Sequence, residues 1–338
     1  MPRAAFVSLG SAVPDRVVTN ADLTKLMDTS DEWIQQRTGI KERRWVEVDE
    51  ATGRVKQGVA DLAEQAARQA LARAGWQPSD VEAIVFASIQ SDHVFPGDGC
   101  YLGARLGLPG VPALDLRNAC SGFLYGLSVA NAWIQTGQYR RVLLVGAEVQ
   151  STSLDTTTRG RDVAVIFGDG AGAACLEATD DPGRGVLTVR LHADGRFAKE
   201  LSGAAPGSSY SPRVSQKQID DGDVFPRMEG QKVFKNAVVR MPEVVREALA
   251  ATGHATGDIK LLVAHQANLR ISEMVQRSLE LRDDQVHNNI QKYGNTTAAS
   301  IPLCLAEGIE LKGVQRGDLV ALCSFGAGFT WASALVRW

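Results

Sequence analysis

The chain has 338 residues, enough for one large or two medium-sized domains. Its 44% hydrophobic and 22% charged residues are typical of soluble globular proteins. The net charge of −3 gives no indication of nucleic-acid binding, and without an apolar run of about 18 residues we expect no membrane span. The five cysteines are scattered without a CxxC pair. They therefore indicate neither disulfides nor a metal site and predict a reducing, cytoplasmic setting.

Helix and strand patterns alternate along the chain, starting with a strand within Met1–Pro14 that lacks the lysine-rich start of a signal peptide. The segment Gly58–Ala74 has the apolar spacing of a helix. Nearly continuous apolar runs predict strands buried on both faces: Ala83–Ala87, Val142–Val145, Leu261–Ala264 and Leu319–Leu322. This alternation predicts an α/β protein whose helices cover its sheets. The polar segment Gly195–Gly230 is predicted to be a long surface excursion, either functional or mobile.

Two echoes within the chain indicate a duplication. The helix end, glycine and strand of residues 71–85 recur without a gap at residues 249–263, 178 positions later. The turn Phe167–Gly170 has a second echo in Phe325–Gly328, and both turns precede strands of small residues. Helix–glycine–strand units resemble one another in any α/β protein, so chance similarity is the alternative to an old duplication.

Cys120 lies between an extended run and the helix pattern Gly122–Ile134. The N-terminus of a helix stabilises a thiolate, so this position predicts a reactive thiol of lowered pKa. Because the helix is apolar, we expect the thiol at the bottom of a tunnel. A free cysteine is also a common small core residue, and local sequence alone does not separate the two interpretations.

His265 and Asn295 are the candidate partners of this thiol. His265 ends the strand Leu261–Ala264, and strand ends facing a crevice are where α/β proteins place their chemistry. Asn295 follows Gly294 at the start of another helix pattern, where a turn or helix-capping residue is the alternative. A thiol, an imidazole and a carboxamide together suit acyl transfer through a thioester.

Taken together, these motifs resemble β-ketoacyl-[acyl carrier protein] synthase III. The matching segments run through the chain in order: residues 28–34, 37–40, 118–123, 167–172, 265–271, 293–300 and 325–331. The resemblance implies a thiolase-like α/β fold with a duplicated five-layer αβαβα architecture. Residues 1–180 would form the half with the nucleophile, and residues 181–338 the half with the histidine and asparagine. It also implies a cytoplasmic homodimer that needs no cofactor.

The implied reaction is a decarboxylating Claisen condensation that starts type II fatty acid synthesis. Cys120 would take the acyl group from an acyl-CoA primer, and malonyl-ACP would then lose carbon dioxide and attack the acyl-cysteine. His265 and Asn295 would donate hydrogen bonds to the malonyl thioester oxygen as enolate charge develops. Backbone N–H groups of Cys120 and Ala327 would form the oxyanion hole, although the family usually has glycine at position 327.

The resemblance also implies a CoA site. Trp33 and Arg37 match residues that sandwich the CoA adenine or contact its phosphates. A second arginine is ambiguous, because Arg159 matches by its Arg-Gly pair and Arg161 by its spacing to Phe167. We favour Arg161. A structural tryptophan with an exposed arginine is the alternative.

Two further surfaces follow from the resemblance. Lys235, Arg270 and Arg277 match basic positions that receive the acidic carrier protein, with a merely solvated basic face as the alternative. Phe95 matches a residue that reaches across the dimer into the partner's acyl pocket.

The primer and pathway stay open at this point. Trp45–Gln57 and Arg196–Gly230 look longer than in compact family members, and the second segment precedes Lys235 at the expected entrance. Acetyl-CoA is the default primer, with medium-chain, branched or carboxylated groups as alternatives. A condensing enzyme or acyltransferase of secondary metabolism that uses a longer or unusual acyl group is the competing function. A non-catalytic acyl-binding protein is disfavoured by the intact set of Cys120, His265 and Asn295.

Overall fold

Two central sheets form the frame of the protein, described here from a computed structural model that covers all 338 residues. The strands are β1 (Arg3–Ala12), β2 (Val17–Thr19), β3 (Glu42–Arg44), β4 (Ala83–Ala87), β5 (Ala113–Leu116), β6 (Arg141–Glu148), β7 (Gly170–Thr179), β8 (Gly185–Ala193), β9 (Leu201–Ser202), β10 (Arg227–Met228), β11 (Ile259–Ala264), β12 (Leu319–Gly326) and β13 (Thr330–Arg337). The helices are α1 (Asn20–Leu23), α2 (Asp31–Thr38), α3 (Val59–Ala74), α4 (Asp98–Arg105), α5 (Gly122–Gln135), α6 (Arg161–Ala164), α7 (Gln216–Asp220), α8 (Gly230–Thr252), α9 (Leu269–Ser278), α10 (Ile290–Tyr293) and α11 (Ser300–Leu311). None of these helices combines the length and the apolar character that crossing a membrane requires.

The first sheet has the strand order β1-β7-β6-β4-β5, and the second has the order β11-β12-β13-β8. Strand β4 pairs in parallel with both of its neighbours, and β11 pairs in parallel with β12. The four strands predicted from apolar runs are β4 and segments of β6, β11 and β12. They are almost entirely buried because helices cover both faces of each sheet.

Five layers result from where the helices pack. Helices α5 and α11 lie between the two sheets, and their apolar residues join one core with side chains from both sheets. Helix α3 packs on the outer face of the first sheet, with α4 beside it. Helices α8 and α9 cover the outer face of the second sheet. Helix α5 is apolar on most sides, with Leu124 and Leu127 fully buried, as its central position demands.

The two halves repeat one another at the offset of 178 found in the sequence. Strand β6 spans residues 141–148 and β12 spans residues 319–326, so both ends of the two strands keep this offset. Gly75 and Gly253 end α3 and α8 with φ of 69° and 70°, a left-handed conformation that suits glycine. The second echo has a shorter offset because residues 149–169 connect β6 to β7, whereas only residues 327–329 connect β12 to β13.

The polar segment predicted as an excursion does leave the body of the protein. Strands β9 and β10 pair with each other at its base, and residues 203–226 extend beyond them. Most of these residues are exposed, although the segment contains helix α7 and buries Ala205 and Gln218. The excursion therefore has secondary structure of its own and buries a few of its residues.

Candidate active site

A cavity of about 530 Å³ brings together the three residues that the sequence separates widely. Cys120, His265 and Asn295 all line it, from both halves of the chain. Apolar side chains make up much of the remaining wall, including Ile166 and Phe325. A largely apolar pocket with a few convergent polar groups is the usual form of a small-molecule site.

Cys120 lies in a one-turn 3-10 helix, Ala119–Ser121, directly before α5. Ala119 has a φ of 46°, a left-handed conformation that is unfavourable for a residue with a Cβ atom. The backbone N–H groups of Cys120 and Ala327 lie near the thiol sulfur and favour its ionised form. Gly326 makes this approach possible, because a Cβ atom there would lie 2.6 Å from the Cβ atom of Cys120. The sulfur therefore lies where two main-chain donors converge.

The prediction of a lowered pKa for Cys120 is wrong. Burial raises the pKa of the Cys120 thiol to about 12, and the nearby carboxylate of Glu148 contributes to this rise. The two N–H donors lower it, but they do not offset the loss of hydration. The helix N-terminus is present as predicted, yet desolvation dominates because the side chain is only 6% exposed. Cys120 is therefore a protonated thiol in the resting protein.

The two ring nitrogens of His265 differ, because Nδ1 has a hydrogen-bond partner and Nε2 has none. Its Nδ1 atom lies 2.5 Å from the Oγ atom of Ser300, at the start of α11, while Nε2 is buried without a hydrogen-bond partner. Burial lowers the pKa of His265 to about 3. The imidazole is therefore neutral near pH 7, with one unused polar atom.

Asn295 is fixed by its main chain and by one side-chain oxygen. Its N–H donates to the carbonyl of Ile166 over 2.9 Å, and its carbonyl accepts from the N–H of Gly168 over 3.0 Å. Its Oδ1 atom accepts from the N–H of Thr297 over 2.9 Å. Because Oδ1 is occupied in this way, the amide nitrogen is the group left for the cavity.

Trp33 and two arginines form the outer part of the site. The guanidinium carbons of Arg37 and Arg161 lie 4.5 Å and 4.8 Å from the centre of the Trp33 ring, a distance typical of cation–π contacts. Arg159 points elsewhere and bonds to Asp155. The structure thus groups Arg161, and not Arg159, with Trp33 and Arg37.

The remaining predicted residues lie at the surface. Arg270 lines the cavity with its guanidinium 5.5 Å from the Phe234 ring, and Lys235 follows Phe234 on α8. Arg277, on α9, lies 3.6 Å from a carboxylate oxygen of Glu273. Phe95 is 80% exposed, which is unusual for a phenylalanine, and Val94 beside it is 67% exposed.

Comparisons with known proteins agree along the whole chain. Residues 114–195 match the family model of 3-oxoacyl-[acyl-carrier-protein (ACP)] synthase III, and residues 249–338 match its C-terminal model. The chain is 44% identical to β-ketoacyl-[acyl-carrier-protein] synthase III of Alkalilimnicola ehrlichii over 100% of both chains. It is 45% identical to that of Rhodospirillum centenum over 99% of both. The crystal structure of 3-oxoacyl-[acyl-carrier-protein] synthase III from Aquifex aeolicus superposes with a TM-score of 0.89 at 38% identity, covering 99% of this chain and 100% of that one.

The chain belongs to the β-ketoacyl-[acyl carrier protein] synthase III family. The likeness confirms the resemblance, the thiolase-like fold class and the assignment as a condensing acyltransferase. The roles of individual residues stay predictions.

Two residues near the candidate catalytic groups were not singled out from the sequence. Ser300 holds His265, and it stands at the end of the same segment that contains Asn295. Glu148 is fully buried beside Cys120 at the end of β6. A single acidic residue closing an apolar strand was the signal that could have identified Glu148.

Proposed function

We propose that the protein catalyses the first condensation of type II fatty acid synthesis, in which an acyl-CoA primer is joined to malonyl-ACP through an acyl-cysteine. The observation that carries this proposal is the position of Cys120, which lies directly before α5 in the cavity that His265 and Asn295 also line. Acyl-CoA and the acyl carrier protein are accordingly its proposed substrates and partners, and the chemistry needs no added cofactor.

In the first half-reaction, the sulfur of Cys120 attacks the carbonyl carbon of the acyl thioester. Negative charge then develops on the carbonyl oxygen, where the N–H groups of Cys120 and Ala327 can stabilise it. Because these donors belong to the main chain, alanine at position 327 keeps the role that glycine usually has. The resting thiol is protonated, so its proton has to reach the leaving sulfur of CoA in this step.

In the second half-reaction, malonyl-ACP loses carbon dioxide and its carbanion attacks the acyl-cysteine, releasing the Cys120 sulfur. His265 and the amide nitrogen of Asn295 are the proposed donors to the enolate oxygen. This role requires the Ser300 hydroxyl to donate to Nδ1, so that Nε2 carries the hydrogen and points it at the substrate. A neutral imidazole serves as such a donor at every pH above its lowered pKa.

We further propose that the protein is a cytoplasmic homodimer. Within each chain, we propose that the two thiolase-like halves meet at residues 180 and 181. Exposed Phe95 and Val94 support the dimer, because a partner's pocket would bury them. Leu114 on β5, the edge strand of the first sheet, is also exposed. Lys235, Arg270 and Arg277 are proposed to receive the acidic carrier protein beside the cavity.

The test incubates the protein with a panel of acyl-CoA thioesters and reads the mass added to Cys120, then adds malonyl-ACP and measures carbon dioxide release. The panel runs from acetyl-CoA through branched, carboxylated and long-chain primers. Acylation by a short primer followed by carbon dioxide release is the expected outcome. Acylation by long chains alone, or transfer of the acyl group to an alcohol or amine without carbon dioxide release, contradicts the proposal.

A further inference from the structure

Residues 203–226 of the excursion form very few hydrogen bonds with the rest of the protein. Beyond the β9–β10 base, one hydrogen bond connects these residues to any part of the chain outside residues 201–228. It runs from Nη1 of Arg159 to the carbonyl oxygen of Asp220 over 3.1 Å. The base itself borders the cavity through Leu201 and Met228. Beyond the paired base, Arg159 is therefore the residue whose hydrogen bond holds the excursion to the rest of the protein.

Arg159 has a fitted place in the excursion. Its guanidinium carbon lies 5.8 Å from the centre of the Phe225 ring. Gly222 lies against the same group, because a Cβ atom on Gly222 would come within 2.9 Å of that guanidinium carbon. Gly222 also has a φ of 76°, a left-handed backbone conformation that favours glycine. The loop is shaped around an arginine.

Arg159 also bonds within its own segment, residues 155–161, which contains Arg161 of the candidate CoA site. Its Nε atom donates to Asp155 over 2.6 Å, and this largely buried carboxylate also accepts from the N–H and hydroxyl of Thr157. Thr158 accepts a hydrogen bond from the N–H of Asp28, just before α2. Arg161 donates to the carbonyl of the same Asp28 over 2.6 Å and stacks on Trp33. Residues 155–161 therefore connect the excursion to the Trp33 stack.

We propose that Arg159 is a positioning residue that ties the excursion to residues 155–161 and thereby keeps Arg161 stacked on Trp33 for binding of the nucleotide part of acyl-CoA. This inference rests on the proposed function, in which Trp33 and Arg161 bind CoA. It gives Arg159 a role distinct from direct contact with CoA, in a part of the chain that looks longer than in compact family members.

Arginine suits this position because its planar group donates in several fixed directions at once. Nε donates to the Asp155 carboxylate, Nη1 donates to the carbonyl oxygen of Asp220, and the flat face of the guanidinium lies over the Phe225 ring. A lysine could pair with the carboxylate but could not reproduce all three contacts. The ion pair itself is half exposed and contributes little stability, so the proposed effect is on geometry.

The first experiment compares Arg159→Ala, Arg159→Lys and a matched control in steady-state kinetics with acetyl-CoA and with acetyl-pantetheine, which lacks the nucleotide. The control is Arg196→Ala, because Arg196 also bonds to an aspartate at 2.6 Å and lies 5.9 Å from a phenylalanine ring, with both partners local in sequence. Arg159→Ala is expected to raise KM for acetyl-CoA about 2- to 5-fold, the size of an exposed ion-pair effect. We expect an unchanged kcat and an unchanged KM for acetyl-pantetheine. Arg159→Lys should resemble Arg159→Ala, and Arg196→Ala should resemble the wild type.

Limited trypsin digestion gives a readout that does not depend on activity. Cleavage after the exposed Arg213, in the middle of the excursion, should be faster in Arg159→Ala than in either the wild type or Arg196→Ala. A wild-type KM for acetyl-CoA together with wild-type cleavage would overturn the proposal, and so would an equal rise in KM for both substrates. Arg161→Ala separates this proposal from the proposed function. If Arg161→Ala does not distinguish acetyl-CoA from acetyl-pantetheine, the CoA assignment fails; if it does and Arg159→Ala does not, the role of Arg159 alone fails.

Discussion

The two halves of the protein contain the same backbone turn, but only one of the two turns carries a cysteine. Ala119 and Thr297 stand 178 positions apart and have φ of 46° and 50°, the same unfavourable conformation at the same place. Each lies in a 3-10 turn that leads into a central helix, α5 or α11. The next residue is Cys120 in the first half and Ala298 in the second. Strained backbone is therefore kept in both halves, although the candidate chemistry occupies only one.

The strand ends beside these turns explain the difference. Strand β12 ends at Gly326, whose missing side chain leaves room for the sulfur of Cys120 and for the N–H of Ala327. Strand β6 ends at Glu148, whose buried carboxyl group accepts hydrogen bonds from the N–H groups of Ile89 and Gln90 and lies near the N–H of Ala298. A glycine thus leaves space beside the N–H of Cys120, whereas a glutamate fills the space beside the N–H of Ala298. The residue at the neighbouring strand end therefore distinguishes the two turns.

The connections after these strands differ as well. Residues 149–169 follow β6, whereas residues 327–329 suffice after β12. The longer connection contains Arg161 at the Trp33 stack and Ile166 in the cavity wall. The N-terminal half therefore contributes the outer part of the site through an addition to the shared plan.

The largest expected effect comes from moving the thiol between the two turns. Cys120→Ala should abolish acylation by acetyl-CoA, and Cys120→Ala combined with Ala298→Cys should not restore it, because the Glu148 side chain fills the space beside the second turn. Intact mass after incubation with acetyl-CoA gives the answer. Acylation at position 298 would show that the two turns are chemically equivalent.

His265→Ala and Asn295→Ala should each lower carbon dioxide release from malonyl-ACP on the order of 100- to 1000-fold, since each removes one donor to the enolate. Acylation of Cys120 should persist in both variants. Because burial lowers the pKa of His265 to about 3, decarboxylation by the wild type should show no titration near the usual histidine value. Near wild-type carbon dioxide release in both variants would refute the assigned roles.

Gly326→Ala adds a side chain at the end of β12. The equivalent position at the end of β6 already has one, in Glu148. The added Cβ atom would lie 2.6 Å from the Cβ atom of Cys120, so we expect slower acylation and a loss of about 1–3 kcal/mol in the free energy of unfolding. Gly257→Ala is the control, because nothing lies within 4 Å of its added Cβ atom. Equal acylation rates and equal stability in the two variants would remove Gly326 from this explanation.

Glu148→Gln tests whether the carboxyl group at the end of β6 affects the thiol of Cys120 electrostatically. The negative charge of Glu148 raises the pKa of the Cys120 thiol, so its removal should lower that pKa and move alkylation of Cys120 by iodoacetamide to lower pH. Burial raises the pKa of Glu148 to about 8, so the comparison is made above pH 8, where this carboxyl group is ionised. In that range a thiol pKa that is lower by about 1 gives about 10-fold more thiolate, and so about 10-fold faster alkylation, as long as the pH stays below the thiol pKa. Labelling should be done with Cys100→Ser, because Cys100 is exposed. Glu148→Asp keeps the charge and should keep the wild-type profile; the same profile in all three proteins would exclude an electrostatic effect.

The smallest effect concerns the surface beside the cavity. Reversing Arg270 and Arg277 to glutamate should raise KM for malonyl-ACP and weaken its dependence on salt, with about 0.2–1 kcal/mol for each exposed charge. Acylation of Cys120 by acetyl-CoA should stay nearly unchanged. Reversal of Arg282 and Arg316, two exposed arginines that do not line the cavity, is the matched control. Normal use of malonyl-ACP at low ionic strength by the first variant would leave the basic residues as a solvated face.

The sequence by itself determined the class of fold and the position of Cys120 at a helix start. Apolar runs identified β4 and segments of β6, β11 and β12, because strands covered on both faces exclude polar side chains. The 178-residue offset is also readable from sequence, since both halves bury the same pattern of helix, glycine and strand. The motifs around Cys120, His265 and Asn295 pointed to the family that the comparisons confirm.

Only the tertiary structure decided which arginine meets Trp33 and how acidic the thiol is. Arg159 and Arg161 each satisfy part of the sequence pattern, which favoured Arg161 by its spacing to Phe167. The structure supports that preference through the places to which Asp155, Asp28 and the excursion direct each side chain. The pKa of Cys120 depends on burial and on Glu148, a residue distant in sequence. Local patterns encode which elements form, because they reflect hydrogen bonding and burial within a short stretch of chain. Electrostatic and packing effects at the site come from residues that only folding brings within a few ångströms, so no local pattern contains them.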